Sequence, residues 1–137
     1  MKKLLLLGLL LVALNCFSQI MIGRDFKYIT NRINYEYSYK VVDLDTLYAT
    51  VGSKNNLTYY YYFNKSTNIC IGYIIEAELT TLPYFKQMLN KDYLSISKER
   101  MEWYDTSIGI LIDIIVNDNN NLMVRFWYVP EYDYKNI

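Results

Sequence analysis

From Ile22 the apolar positions recur at helical spacing: Ile22, Phe26, Ile29 and Ile33 follow one another at intervals of four, three and four. That is one stripe of an amphipathic helix, predicted over Arg24–Asn34. The period then changes to two. Val42, Leu44, Thr46, Tyr48 and Thr50 alternate with Asp43, Asp45, Leu47 and Ala49, and Gly52-Ser53-Lys54-Asn55 reads as a turn. Leu57 to Phe63 is dense in tyrosine, as a pleated surface favours, with Leu57, Tyr59, Tyr61 and Phe63 on one face and Thr58, Tyr60 and Tyr62 on the other. Asn64 to Asn68 is a second turn. Ile69 to Leu79 is a third strand, with Ile69, Ile71, Tyr73, Ile75, Ala77 and Leu79 opposite Cys70, Gly72, Ile74, Glu76 and Glu78. The three strands read as a meander.

Helical spacing returns with Leu82, Phe85, Leu89 and Tyr93. Thr81 stands where an N-cap belongs and Pro83 in the first turn, so a second helix is predicted over Leu82–Lys91. Between Ser95 and Tyr104, Met101 and Trp103 alternate with charged residues, the pattern of an exposed edge strand. Ile108, Ile110, Ile112, Ile114 and Val116 form the clearest strand face. Asn117-Asp118-Asn119-Asn120-Asn121 closes a hairpin, Leu122 to Val129 returns, and Pro130 ends it. The order α-β-β-β-α-(β)-β-β predicts an α+β domain: an antiparallel sheet of five to six strands with two helices packed on one face.

The first residues change what surrounds that domain. Met1-Lys2-Lys3 is a basic start, Leu4 to Leu14 an apolar run of 11 residues, and Cys16-Phe17-Ser18 places small residues before Gln19. This is the build of an export signal, too short for a spanning helix of roughly 20 residues. Cleavage is expected between Ser18 and Gln19, giving a signal at 1–18 and a single domain at 19–137. Asn15 suits lipidation at Cys16 poorly, so a periplasmic or secreted domain is expected rather than an outer-membrane lipoprotein.

Removing 18 of the 137 residues leaves 119, enough for one core. Lys2 and Lys3 go with the leader, so 12 basic residues face 14 acidic ones and the net charge is −2. That balance argues against nucleic acid and against electrostatic attraction to anionic lipid. Cys70 is then the lone cysteine, in an apolar stretch, and reads as a small buried hydrophobe. The chain has no histidine, which excludes Cys-His and Ser-His-Asp chemistry within it.

Remaining candidates are weaker. Glu76 and Glu78 share a strand face at roughly 7 Å, a spacing that a glycosidase acid-base pair uses, but a solvated outer face has the same pattern. Asp43 and Asp45 read the same way. Asp118 and the asparagines beside it lack the glycine and closing glutamate of a calcium loop, and no glycine cluster offers a phosphate cradle. No cofactor or metal is expected. The sequons at Asn56 and Asn64 read as chance.

Tyrosine stands out, with 16 residues. Tyr59 to Tyr62 are consecutive, so some must face away from the core. Tyr60, Tyr62, Trp103, Trp127 and Tyr132, with Tyr128 and Tyr134 beside them, are the candidate binding patch. Exposed Tyr and Trp suit protein interfaces or sugar stacking, because each offers apolar area with a polar tip. Ordinary cross-strand packing of aromatics is the competing explanation.

The leader, with its Phe-Ser-Gln ending, resembles those of exported Bacteroidetes proteins. Over about half the chain, Tyr61 and Phe63, Cys70, Leu89-Asn90-Lys91, Tyr93 and Trp103 resemble the pattern of small exported proteins of that group whose function is unknown. The helix-then-meander order is also similar to outer-membrane assembly lipoproteins and secreted β-lactamase inhibitors, which pair two helices before the sheet. These likenesses imply a fold and an exported location, and bring no functional residues with them. The expected function is a non-enzymatic module that binds a protein or envelope component, with the oligomeric state open. The alternative is a carbohydrate-binding module or small glycan hydrolase using exposed Tyr and Trp with paired carboxylates.

Overall fold

The computed structural model describes residues 21–33 and 39–136. The expected leader, its cut before Gln19, Cys16, and the predicted helix end at Asn34 lie outside the described residues. The chain is an α+β protein. One antiparallel sheet of eight strands carries two helices on one face.

Helix α1 spans Phe26–Ile33. Asp25 caps it, accepting a hydrogen bond from the Tyr28 N–H at 2.7 Å. Ile29 points into the core, and Phe26 meets the rings of Tyr48 and Phe63 edge-on. Strands β1 (Tyr39–Leu44), β2 (Leu47–Lys54), β3 (Leu57–Asn64) and β4 (Cys70–Glu78) form a meander. A 3-10 turn, Leu79–Thr81, leads into α2, Leu82–Asp92, which buries Phe85 and Leu89. Strands β5 (Leu94–Ser97), β6 (Glu102–Asp105), β7 (Ile110–Val116) and β8 (Asn121–Tyr128) follow, and β8 pairs with β4 at the centre of the sheet. The sheet order is β1-β2-β3-β4-β8-β7-β6-β5.

The core lies between the helices and the sheet. Tyr59, Tyr61 and Phe63 of β3, Tyr73 and Ile75 of β4, Val124 and Phe126 of β8, and Ile112 and Ile114 of β7 all face it. Tyr73 stacks on Phe126 with ring centroids 4.4 Å apart.

Eight strands replace the five to six predicted. The apparent single strand at 42–50 is two, joined by a tight turn at Asp45-Thr46. The turn predicted at Gly52–Asn55 sits at Asn55-Asn56, both with positive φ (54° and 63°), and Gly52 is buried inside β2. The Asn117–Asn121 turn forms as predicted, with Asn120 at φ 59°. Thr81 does not cap α2 through its side chain; its hydroxyl donates to the Glu78 carbonyl at 2.6 Å. A register shift opposite Tyr62–Phe63 moves Cys70 from the face expected for it onto the core face with Tyr73. There burial pushes its thiol up to about 12, despite the hydrogen bond it gives the Gly72 carbonyl. Such a thiol is protonated and inert at neutral pH.

Candidate functional site: the open face of the sheet

Side chains alternate across a strand, so the residues between the core positions of β2, β3, β4, β8 and β7 point to the face away from both helices. The register aligns them in rows. One row runs Val42, Ala49, Tyr62, Gly72, Trp127, Leu111, Tyr104, Leu94, from one edge of the sheet to the other. Only Gly72 lacks a side chain, and its neighbours use the space. The Tyr62 and Trp127 rings, from strands on either side, meet with centroids 5.1 Å apart and planes tilted 43°. A Cβ on Gly72 would stand 2.2 Å from Trp127 Cε3, so the indole lies directly over the glycine. Both rings are half-buried.

Beside this pair is a polar knot. The Glu76 carboxylate accepts hydrogen bonds from the Tyr60 hydroxyl (2.7 Å), Asn117 Nδ2 (2.9 Å) and Asn121 Nδ2 (3.0 Å). Burial alone would raise the Glu76 pKa, but the three hydrogen bonds outweigh it and hold the carboxyl below its ordinary value of 4.5. The Tyr60 hydroxyl is pushed up to about 12, by burial first and then by its bond to Glu76. It therefore stays a neutral donor. Further along, Arg125 grips Asp113 through two bonds of 2.7 and 2.5 Å.

This arrangement bears on the chemistry. A general acid needs a raised pKa, and Glu76 is shifted the other way with its oxygens already engaged. Glu78 is exposed at the strand end. Asp43 pairs with Lys65, and Asp45 lies in the β1–β2 turn. Among the described residues no group of three or more Cys, Asp or Glu is placed to hold a metal ion, and no helix is long and apolar enough to cross a membrane.

The depressed Glu76 pKa has a measurable consequence. A carboxyl whose folded pKa lies below its unfolded value stabilises the fold fully above the unfolded value, and that stability is lost as pH falls through the folded one. Glu76→Gln is expected to lower the urea midpoint at pH 7, with the difference from wild type shrinking as pH drops below about 4.5. A difference unchanged between pH 7 and pH 3 would rule out the charged carboxylate as its source.

Of the five residues expected in the binding patch, Tyr60, Tyr62 and Trp127 come together on the open face. Tyr132 joins it indirectly: the chain after β8 folds back, and Tyr132 and Tyr134 pack on Tyr104, whose hydroxyl donates to the Val129 carbonyl at 2.9 Å. Tyr128 is exposed and falls in the same register as the core positions. Trp103 departs from the expectation. It sits on the helix-covered face at 2% exposure, its Nε1 donating to Asn90 Oδ1 of α2 at 2.8 Å. It forms part of the floor of a shallow cleft of about 380 Å³, lined also by Lys86, Asn90, Ser95, Lys98 and Met101. Gly72 and Met123, which help to build the open face, were not singled out from the sequence. The signal for the first was there: a glycine inside an otherwise regular strand marks a close approach.

No family model matches the chain, and neither a curated protein nor a solved structure matches it.

Proposed function

We propose that this chain is an exported, non-enzymatic binding module whose open sheet face docks a protein of the cell envelope or its surroundings. The observation that carries the reading is the Tyr62–Trp127 pair over Gly72, on the sheet face that neither α1 nor α2 covers. Aromatic anchors held in place by their surroundings give up little conformational entropy on binding. Around them lie aliphatic Val42, Leu111 and Met123, with Arg125–Asp113 and the Glu76 knot as satisfied polar neighbours. An apolar centre with polar surroundings is the anatomy of a protein interface. The leader supplies the exported location, and Glu76 held ionised by three donors supports binding over acid catalysis.

The experiment compares the native protein with a Tyr62→Ser/Trp127→Ser double variant in cross-linking to envelope fractions of the source cell, with folding checked by circular dichroism. A defined cross-linked partner is expected with wild type and lost with the folded double variant. Equal cross-linking by both would sink the reading. The tilted ring pair also favours a second reading, sugar stacking. Trp103 lines the cleft beside α2, so a Trp fluorescence shift on adding oligosaccharides that is lost in Trp127→Ser would report on Trp127 and move the face to a glycan ligand.

A further inference from the structure

We propose that two copies of this chain associate edge to edge through β1, as an antiparallel two-fold pair centred on Val41. The two edges of the sheet differ. β5 has four residues and its register shifts between Ser95 and Ser97, which blunts it as a template. β1 has six residues, an unbroken register with β2, and no described strand on its other side. Every residue after Tyr39 is exposed, and Val41 (56%), Val42 (43%) and Leu44 (39%) put aliphatic side chains on both faces of this edge. Edge strands normally carry proline, a bulge or charges against pairing; β1 has neither proline nor bulge, and its charges are Lys40 and Asp43.

The hairpin fixes which backbone groups are free. A two-residue turn at Asp45-Thr46 makes Leu44 and Leu47 the closing hydrogen-bonded pair. Alternation then directs the N–H and C=O of Tyr39, Val41 and Asp43 away from β2. A two-fold axis normal to the sheet at Val41 matches all three: Val41 faces Val41 of the second copy, and Tyr39 faces Asp43 in both directions. Lys40 then faces Val42. Centring on Lys40 or Asp43 would oppose like charges, and centring on Val42 matches two hydrogen-bonding pairs instead of three. The register at Val41 thus joins apolar to apolar and sets no like charges against each other.

Five opposed residue pairs bury less than the roughly 1,200 Å² of a standard interface, so the dimer is weak and concentration-dependent. The axis keeps both open faces on the same side of one continuous sheet. If the open face docks a partner as proposed above, the dimer presents two such faces together and binds a clustered partner bivalently. The pairing itself does not depend on that reading.

Sedimentation of the protein as processed by its host, from micromolar to near-millimolar concentration, tests it. A monomer–dimer equilibrium is expected. Val41→Lys, which would oppose two ammonium groups, is to raise its dissociation constant about 10-fold or more. Val41→Pro removes an N–H directed away from β2, so it is to abolish the dimer while the monomer stays folded. If Val41→Pro fails to fold, Val41→Lys still decides. A monomer throughout the range, a dimer that survives Val41→Lys, or a dimer lost with Trp127→Ser and not with Val41→Lys would each overturn the proposal. The last would place the association on the open face.

Discussion

Gly72→Val is expected to destabilise the protein by about 2–3 kcal/mol and to turn Trp127 out into water. A glycine in a strand interior normally costs stability, by roughly 0.5–1 kcal/mol relative to alanine. A side chain at an unoccupied position would therefore help. Position 72 is occupied. A Cβ there would stand 2.2 Å and 2.6 Å from two carbons of the Trp127 ring, and 2.8 Å from the Phe126 carbonyl oxygen. The indole can swing aside, which breaks its contact with Tyr62. The carbonyl cannot easily yield, because Phe126 is buried in the core and held in the central β4–β8 ladder. Urea unfolding gives the stability change. A red shift of native Trp fluorescence reports the displaced ring, since Trp103 remains covered. A neutral or stabilising Gly72→Val would mean that the indole does not rest on the glycine, and would remove the basis for a fixed aromatic pair on the open face.

How far the sequence reveals this architecture depends on what disturbs its period. Leu57, Tyr59, Tyr61 and Phe63, and the Ile110–Val116 and Leu122–Phe126 stretches, alternate without interruption and were legible. The β1–β2 hairpin was not. Its turn has two residues and neither glycine nor proline, so alternation passes through Asp45-Thr46 as though through one strand. The faces nonetheless exchange there: Val42 shares the open face with Ala49, while Tyr48 and Thr50 face the helices. The shift beside Ile71 is equally silent, and it carried Cys70 to the core face. The open face was half legible. Tyr60 and Tyr62 must lie opposite Tyr59 and Tyr61, but which pair meets the helices depends on tertiary packing. Gly72, Glu76 and Glu78, all of one parity, carried the clue to which face of β4 would be left open.

Both faces of the sheet carry large aromatics, and they do different things. On the helix side, Tyr59, Tyr61, Tyr73 and Phe126 are almost fully buried, and burial pushes the Tyr59 hydroxyl up to about 12. Their role is to fill the space under α1 and α2. On the open side Tyr60, Tyr62 and Trp127 are only half-buried, whereas Tyr104 is covered by Tyr132 and Tyr134. Tyrosine abundance alone therefore does not distinguish a core face from an open one. The register does, and it puts the two tryptophans on opposite faces.

That assignment makes Trp103→Ala the second large effect, an expected loss of about 3–5 kcal/mol, against about 1 kcal/mol or less for Trp127→Ala. Met101 and Trp103 alternate with charged residues, which made Trp103 look like an exposed edge residue. Strand β5 lies outside it, however, and α2 lies over it. It joins the same core cluster as Ile112, Phe85 and Leu89. Removing the indole leaves a cavity between α2 and the β6 end of the sheet, and it breaks the Trp103–Asn90 bond that ties the two together. Trp103→Phe should recover most of the loss, because it refills much of the volume and lacks only the N–H. Asn90 is exposed, so its freed oxygen can turn to water at little cost. Far-UV circular dichroism during urea unfolding measures all three variants. If Trp103→Ala proved no more costly than Trp127→Ala, Trp103 would not be a core residue, and the separation of a buried tryptophan from an open-face one would fail.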